Sequence, residues 1–224
     1  MSDTGEQFRR VYNRRFPHDS RHAKAAMWRV LVESYFQKWI GRDDVVLDLG
    51  CGFGEFLNYL RSGRKIGVDM NPAGADHVAN DVEFHAADVC DLSFLGDSTI
   101  DCIFTSNLME HLPDKSAVQQ MLRESGRVLK PGGQLIALGP NLRYLPGRYW
   151  DFWDHLVPIT DHSLAEALEL EDFVVVKRIA KFLPYSTCSP LPQGTALVRW
   201  YLRLPMFWHI FGKQFLIRAR RIKG

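Results

Sequence analysis

The sequence predicts an α/β protein whose parallel sheet is covered by helices. Three observations support this fold class. Short apolar runs alternate with segments of helical periodicity, turn residues separate the two kinds of segment, and the first apolar run leads directly into three closely spaced glycines. This alternation is typical of βαβ units, in which helices pack against a parallel sheet.

The apolar pattern assigns each element in turn. Strands are predicted over 45–49, 65–69, 82–86, 100–105, 134–138, 173–180 and 214–220. Helices are predicted over 6–40, 55–62, 115–129 and 163–170, and Thr160, Asp161 and Ser163 are candidate caps for the last of these. The Lys-Pro-Gly-Gly run at 130–133 is predicted to form a turn.

Length and composition indicate one globular domain over 1–224, since the chain has 224 residues, 46% hydrophobic and 24% charged. Its predicted parts are a helical extension (1–40), a ligand-binding core (41–140) and a second half (141–224) with a basic, aromatic insertion (183–213). The four cysteines show no metal-ligand spacing, so Cys51, Cys90 and Cys102 are expected to be reduced thiols. We see no signal peptide and no apolar run of membrane-spanning length, and we expect a cytoplasmic protein.

The glycine segment predicts a nucleotide-type site. A strand ending in Asp48 precedes Gly50, Gly52 and Gly54, and glycines let a ligand approach the backbone closely. Asp69 ends the next strand, at a spacing that suits a carboxylate bound to ribose hydroxyls. Glu55 breaks the dinucleotide register and disfavours a pyrophosphate at this position. An adenosyl ligand with a positive centre and no phosphate fits better, and S-adenosylmethionine is such a ligand.

Five motifs in order, "VLDLGCGFGEFL", "GVDMNP", "HAADVCDL", "DCIFTSNLMEHL" and "LKPGGQLIALGPN", resemble those of class I S-adenosylmethionine-dependent methyltransferases. The resemblance implies a Rossmann-like sheet of seven strands with an antiparallel last strand beside the sixth, an N-terminal helical extension and a helical insertion before the last strand. Three further stretches, "RRFPHDSRHAKAAMW", "PNLRYLPGRYWDFWDH" and "RLPMFWHIFGKQFLIRARR", resemble a bacterial subgroup associated with cell-surface glycan or lipid-linked sugar pathways.

The resemblance also implies a set of cofactor contacts and S-adenosylhomocysteine as the product. Asp69 would bind the ribose hydroxyls, Met70 would pack on adenine, and Asp88 with the Val89 amide would bind the adenine edge. Asn107 and Leu108 would close the methionine end. The methionine and ribose portions would be lined by Asp48, Gly50, Cys51, Gly52, Phe53 and Gly54. A turn role for Asp69 and a helix-cap role for Asp88 remain alternatives.

The candidate catalytic residues follow the fourth and fifth strands. His155 is the first candidate for a general base or acceptor-orienting group, Asp154 could orient it or act alone, and His111 is the second candidate. Each histidine could instead be structural. Because no Asp/Asn pair stands beside Asp114, we predict no metal.

The same half of the chain offers residues for an acceptor. Arg143 and Arg148 could hold a phosphate or simply face water, and Asp151 could bind sugar hydroxyls. Aromatic rings could stack on a sugar face, or could anchor the loop instead; they are Tyr144, Tyr149, Trp150 and Trp153. The prediction is therefore O-methylation of a sugar hydroxyl in a glycan, glycolipid or nucleotide- or lipid-linked sugar. Alternatives are a secondary-metabolite, quinone or lipid acceptor, and a non-catalytic cofactor-binding protein at a membrane surface.

Charge is distributed unevenly. The net charge of the chain is +2, yet residues 173–224 contain ten Lys or Arg and no acidic residue. Within 197–223, aromatic residues lie beside Arg199 and Arg203, a pattern that predicts contact with the cytoplasmic face of a membrane or with a lipid-linked substrate. Cover for a sheet edge and a dimer contact are the alternatives.

Nucleic acid is disfavoured as a substrate, because the segment after the fourth strand lacks the Asn/Asp-Pro-Pro-aromatic run of nucleic-acid amino methyltransferases. Near the N-terminus, Tyr12, Phe16, Arg21 and Trp28 are candidates for closing the cofactor site.

Overall fold

A single seven-stranded sheet forms the centre of the protein. The computed structural model describes residues 18–185 and 194–222. The strands are β1 (Val45–Leu49), β2 (Arg64–Asp69), β3 (Val82–Ala86), β4 (Ile100–Ser106), β5 (Leu129–Pro140), β6 (Phe173–Ile179) and β7 (Gln214–Arg221). Their order is β3-β2-β1-β4-β5-β7-β6, and β7 runs antiparallel to both neighbours. The predicted mostly parallel sheet with an antiparallel last strand beside the sixth is confirmed.

Five α-helices accompany the sheet in the described residues: α1 (His18–Leu31), α2 (Lys115–Val128), α3 (Asp161–Leu170), α4 (Thr195–Arg203) and α5 (Pro205–Phe211). The chain stays helical beyond α1 as far as Trp39, through a π-helical and a 3-10 turn. Thr160 is the cap of α3, because its hydroxyl accepts from the Ser163 amide at 3.0 Å and the Ser163 hydroxyl accepts from the Thr160 amide.

The predicted helix over 55–62 is wrong, since only one 3-10 turn, Leu57–Tyr59, forms there. The Asn58 side chain explains the difference. Its amide nitrogen donates to the carbonyls of Phe53 and His77, and its oxygen accepts from the Ala79 amide at 2.7 Å. These contacts tie the segment to the loop after β2, in competition with regular helical pairing.

The predicted turn at 130–133 is also wrong, because these residues lie within β5. They form a bulge: Leu129 pairs with Ile100, and the next pair joins Gln134 to Cys102. The Lys130 ammonium lies 2.7 Å from the Asp101 carboxylate, and this contact holds the bulged segment against β4.

Apolar side chains form one core on each face of the sheet. Successive strand residues such as Val46 and Leu47 belong to opposite clusters, as the alternation of a β-strand requires. Helices α2 and α3 contribute to one cluster, whereas α1, α4 and Trp208 contribute to the other. The two-sided core fixes β1 and β4, whose carboxyl ends carry the candidate site.

Phe104 is central to the second cluster, and its replacement tests this packing. The ring is 1% exposed and stacks on Phe56 with 3.8 Å between ring centroids. We expect Phe104→Ala to lower the free energy of unfolding by about 3–5 kcal/mol, because it removes a buried ring and leaves a cavity. Chemical denaturation measures this change. Phe94→Ala is the matched control, since Phe94 is 41% exposed and lies outside both core clusters; an equal loss in both variants would contradict the described packing.

Candidate active site

The carboxyl ends of β1, β2, β3 and β4 meet at one edge of the sheet. Strand β1 lies between β2 and β4, so the chain leaves β1 at the point where the strand order reverses. Ligands of open α/β sheets bind in the crevice at such a point. The predicted cofactor residues follow these four strand ends.

The loop after β1 has a backbone that only glycine adopts readily. Gly50, Gly52 and Gly54 have φ angles of 71°, 56° and 74°. A Cβ atom on Gly50 would lie 2.8 Å from the Leu108 Cδ1 atom, so the loop after β4 packs directly on this glycine. The amides of Gly50 and Cys51 both donate to the Val68 carbonyl and so join the loop to β2.

Asp69 supports the same loop and retains capacity for a ligand. Its Oδ2 accepts from the Gly52 amide and its Oδ1 from the Asn71 amide, each at 2.8 Å. A carboxylate oxygen can accept a second hydrogen bond, so ribose hydroxyls can still bind here. Met70, 63% exposed, offers an apolar surface beside Asp69 that suits an adenine ring.

Asp88 and Val89 follow β3 at the far side of the crevice. Asp88 is exposed, and its Oδ1 accepts from the Cys90 amide at 2.9 Å. This bond is a turn-stabilising contact, and the second carboxylate oxygen is available to an adenine amino group. Val89 is buried.

The cysteine thiols are reduced in the described residues. Cys51, in the glycine loop, is buried, and burial raises the pKa of its thiol. The thiols of Cys51, Cys90 and Cys102 are free, and Cys188 lies outside the described residues.

Three acidic side chains make the crevice electronegative. Asp48 is 3% exposed, and its pKa is raised by burial and further by the charges of Glu55 and Asp69. Burial likewise raises the pKa of Asp69. A ligand with sulfonium and ammonium groups compensates such buried acids, whereas a pyrophosphate would add to their repulsion. The residues present therefore fit S-adenosylmethionine.

Helix α1 reaches this crevice through a residue that sequence analysis missed. The Lys24 ammonium lies 2.7 Å from a Glu55 carboxylate oxygen. Trp28, by contrast, packs edge-on against Phe104 in the core. Tyr12 and Phe16 lie outside the described residues, as does the side chain of Arg21.

The turn after β4 closes the predicted methionine end. Asn107 has a φ of 51°, and its amide donates to the Leu138 carbonyl at 2.9 Å. This left-handed residue redirects the chain so that Leu108 covers Gly50. Glu110 and His111 follow within one 3-10 turn.

A second loop brings further polar residues to that turn. The amides of Leu156 and Val157 both donate to the Glu110 carbonyl, at 2.7 and 3.2 Å. His111 Nδ1 then lies 2.9 Å from the Asp154 carbonyl and 3.3 Å from the Asp154 carboxylate. The structure therefore brings together the three predicted catalytic residues, although more than forty positions separate His111 from Asp154 and His155.

His155 and Glu110 form the buried side of this group. The ring centroids of His111 and His155 are 5.0 Å apart, and the Tyr185 hydroxyl lies 3.5 Å from His155 Nε2. His155 is 4% exposed and packs against Phe152 and Tyr149. Glu110 is 2% exposed, and burial raises its pKa. Of His111, His155 and Glu110, His111 has the most exposed side chain. This exposure favours His111 over His155 as the group that meets an acceptor.

The predicted acceptor residues divide into exposed and buried side chains. Trp150, Asp151 and Trp153 are exposed. Tyr149 is fully buried, and its hydroxyl donates to the Val157 carbonyl and accepts from the Ile159 amide. The ring of Tyr149 therefore anchors the loop and has no face toward solvent. Arg143 lies 3.6 Å from the Asp161 carboxylate.

A groove lies between this loop and the insertion. Its volume is about 430 Å³, and its lining is mostly apolar, with two phenolic and two cationic side chains. Tyr185 lines the groove and also contacts His155, so the groove leads to the histidine pair. Sequence analysis named two of the lining residues, Tyr144 and Arg148, as acceptor candidates. The lining residues are Tyr144, Leu145, Pro146, Gly147, Arg148, Pro184, Tyr185, Ile210, Phe211 and Lys213.

The insertion also leaves apolar side chains on the surface. Leu197, Trp200 and Met206 are exposed, as are Arg199 and Arg203. Among the described helices, none has the length and apolar character needed to span a membrane. Membrane contact through 197–223 stays a prediction.

Comparisons with known proteins agree with this geometry. Residues 47–137 match the protein family described as "Methyltransferase domain". The fold resembles a crystal structure of an S-adenosylmethionine-dependent methyltransferase from Archaeoglobus fulgidus, with a TM-score of 0.66 and 22% identity over 94% of this chain and 98% of that one. Residues 47–137 are thus similar in sequence to methyltransferase domains, and the chain shares the fold of the Archaeoglobus fulgidus enzyme.

Curated relatives cover varied methyltransferases. A probable S-adenosylmethionine-dependent methyltransferase of Mycolicibacterium smegmatis is 29% identical over 68% of this chain and 60% of its own length. The demethylmenaquinone methyltransferase of Symbiobacterium thermophilum is 26% identical over 73% of this chain and 70% of its own length. The probable methyltransferase ltbC of Aspergillus luteorubrus is 29% identical, and the match spans 42% of its length. The chain thus spans well under two thirds of several relatives that it matches.

Proposed function

We propose that the protein transfers a methyl group from S-adenosylmethionine to a hydroxyl group of an acceptor held in the groove, and releases S-adenosylhomocysteine. One observation carries this proposal. The acid-lined crevice continues through Asn107 and Leu108 to His111, and from there through His155 and Tyr185 to the groove. Donor and acceptor sites on such a path would meet near His111.

Methyl transfer is an in-line displacement at the sulfonium carbon, so positioning supplies much of the acceleration. When bound, the cofactor supplies the electrophilic methyl group. The chain's own residues would orient the acceptor oxygen and help to remove its proton. His111 suits this task, because the Asp154 carbonyl and carboxylate fix its Nδ1 side.

The lining of the groove supports an acceptor with both apolar and anionic parts. Arg148 and Lys213 supply positive charge, while Leu145, Ile210 and Phe211 supply apolar surface. A sugar hydroxyl in a lipid-linked or nucleotide-linked sugar combines these features. Exposed rings at Trp150 and Trp153 would offer stacking faces for the sugar.

A second candidate is a quinone, lipid or secondary-metabolite acceptor. The predominance of apolar side chains in the groove favours it, as does the name of the demethylmenaquinone methyltransferase relative. Transfer of labelled methyl from S-adenosylmethionine to each acceptor class, with lipid-linked sugars and prenylated phenols side by side, would separate the two candidates. Turnover of the phenols alone would overturn the sugar proposal. Cofactor binding without turnover of any class would favour a non-catalytic role.

Phe211→Ala tests the acceptor groove. Because Phe211 lines the groove, we expect the variant to raise KM for the acceptor about tenfold, from the loss of roughly 1–2 kcal/mol of apolar contact, with unchanged affinity for S-adenosylmethionine. Met206→Ala is the matched control, since Met206 is exposed on the same helix and does not line the groove. If both variants have the KM of the unmodified protein, the groove does not hold the acceptor.

A further inference from the structure

We propose that Glu110, His111 and His155 form a binding site for a divalent transition-metal ion of the zinc type. One ligand atom of each side chain lies within 4.8 Å of the other two. A carboxylate with two imidazoles is a common zinc ligand set. The sequence predicted no metal, because that prediction considered only an acidic cluster of the kind that binds magnesium.

The distances require a modest closing movement. Glu110 Oε1 and His111 Nε2 are 3.9 Å apart. Ligand atoms around a tetrahedral zinc ion lie roughly 3.4 Å from one another, as bond lengths of about 2.0–2.1 Å imply. The His111 side chain is partly exposed, so it can rotate toward the buried pair without repacking the core.

Glu110 provides an independent reason to expect a cation. Its Oε1 atom is buried and has no hydrogen-bond partner among the described residues. A buried carboxylate oxygen without a partner costs free energy, and a bound cation would compensate this cost. The Leu156 and Val157 amides hold the backbone carbonyl of Glu110, so the side chain is kept at this position.

The surroundings of the group resemble the outer shell of a metal site. The Asp154 carboxylate lies 3.3 Å from His111 Nδ1, which would leave His111 Nε2 toward the ion. Near the other imidazole, the Tyr185 hydroxyl lies 3.5 Å from His155 Nε2. Acceptor groups that fix the rings of metal-bound histidines are a regular feature of such sites.

The ligand types favour a particular class of ion. Imidazole nitrogens suit zinc, cobalt, iron or nickel, whereas magnesium and calcium take mainly oxygen ligands. Three protein ligands leave a fourth position for water or an acceptor oxygen. At that position the ion would lower the pKa of an acceptor hydroxyl, so that its proton could pass to solvent water without His111 as the base. This consequence rests on the proposed function, whereas binding of the ion does not.

Equilibrium dialysis against zinc, with metal content measured by mass spectrometry, tests the proposal on chelator-treated protein. Cobalt provides a second readout, since its visible absorption reports tetrahedral coordination. We expect one ion per chain, and at least tenfold weaker binding in His111→Ala and Glu110→Gln. His162→Ala is the control, because His162 is an exposed histidine outside the group. Circular dichroism checks folding, and His111→Ala alone decides the result if Glu110→Gln does not fold.

Two outcomes would overturn the metal site. One is the absence of zinc or cobalt binding by the unmodified protein. The other is equal binding by the unmodified protein and His111→Ala, which would indicate an adventitious ion only. Either result would leave affinity for S-adenosylmethionine and methyl transfer unaffected, so failure of the metal site is distinguishable from failure of the proposed function.

Discussion

Asp69→Ala is expected to lower the affinity for S-adenosylmethionine by about a hundredfold or more. The carboxylate would bind the ribose hydroxyls, and hydrogen bonds to a charged group contribute about 1.5–3 kcal/mol each. The same substitution removes the acceptors of the Gly52 and Asn71 amides, which shape the glycine loop. Isothermal titration calorimetry measures the dissociation constant directly.

Asp43→Ala is the matched control for this experiment. Asp43 is exposed and precedes β1, at the opposite edge of the sheet from the crevice. The control should bind the cofactor with unchanged affinity. If Asp69→Ala also binds within a few-fold of the unmodified protein, Asp69 is a turn residue and the cofactor site has been placed wrongly.

His111→Ala is expected to reduce turnover by about 10²–10⁴-fold, the range that a positioned proton-transfer group contributes. Affinity for S-adenosylmethionine should change less than twofold, because no described contact joins His111 to the glycine loop or to Asp69. The expected loss is the same whether His111 acts as a base or as a metal ligand. Single-turnover methyl transfer measures the chemical step.

His162→Ala again serves as the control, and it should retain full turnover. Near-normal turnover in His111→Ala would contradict the assignment. His155→Ala then decides between the two histidines first considered. If that variant alone loses turnover with unchanged cofactor affinity, His155 is the catalytic residue despite its burial.

The positions of the predicted cofactor residues in the fold could be derived from sequence because their determinants are local. Asp48, Asp69 and Asp88 come at the end of apolar runs or just after them, so their places at the carboxyl ends of β1, β2 and β3 could be predicted, while their contacts with the cofactor stay predictions. The glycine φ values follow from the same motif. The absence of a regular helix over 55–62 could not be predicted, because it depends on contacts between Asn58 and the loop after β2, about twenty residues away.

The acceptor half depends on contacts between distant segments, which one sequence does not reveal. Its aromatic pattern gave no basis for separating buried Tyr149 from exposed Trp153. The sequence shows that Glu110 and His111 are adjacent. The burial of Glu110, however, depends on the loop that contains Leu156 and Val157, more than forty residues later. The groove likewise needs residues of the insertion, Ile210 and Phe211, for which sequence analysis left membrane contact and contact with a lipid-linked substrate both open.

The most direct test is calorimetric titration of the unmodified protein with S-adenosylmethionine and S-adenosylhomocysteine, with NAD⁺ as a phosphate-bearing comparison. Because the crevice combines left-handed glycines with three acidic side chains, we expect one saturable site for both sulfur-containing ligands and no binding of NAD⁺. Binding of NAD⁺ with no response to the other two ligands, or no binding of any of them, would contradict the assignment of the site.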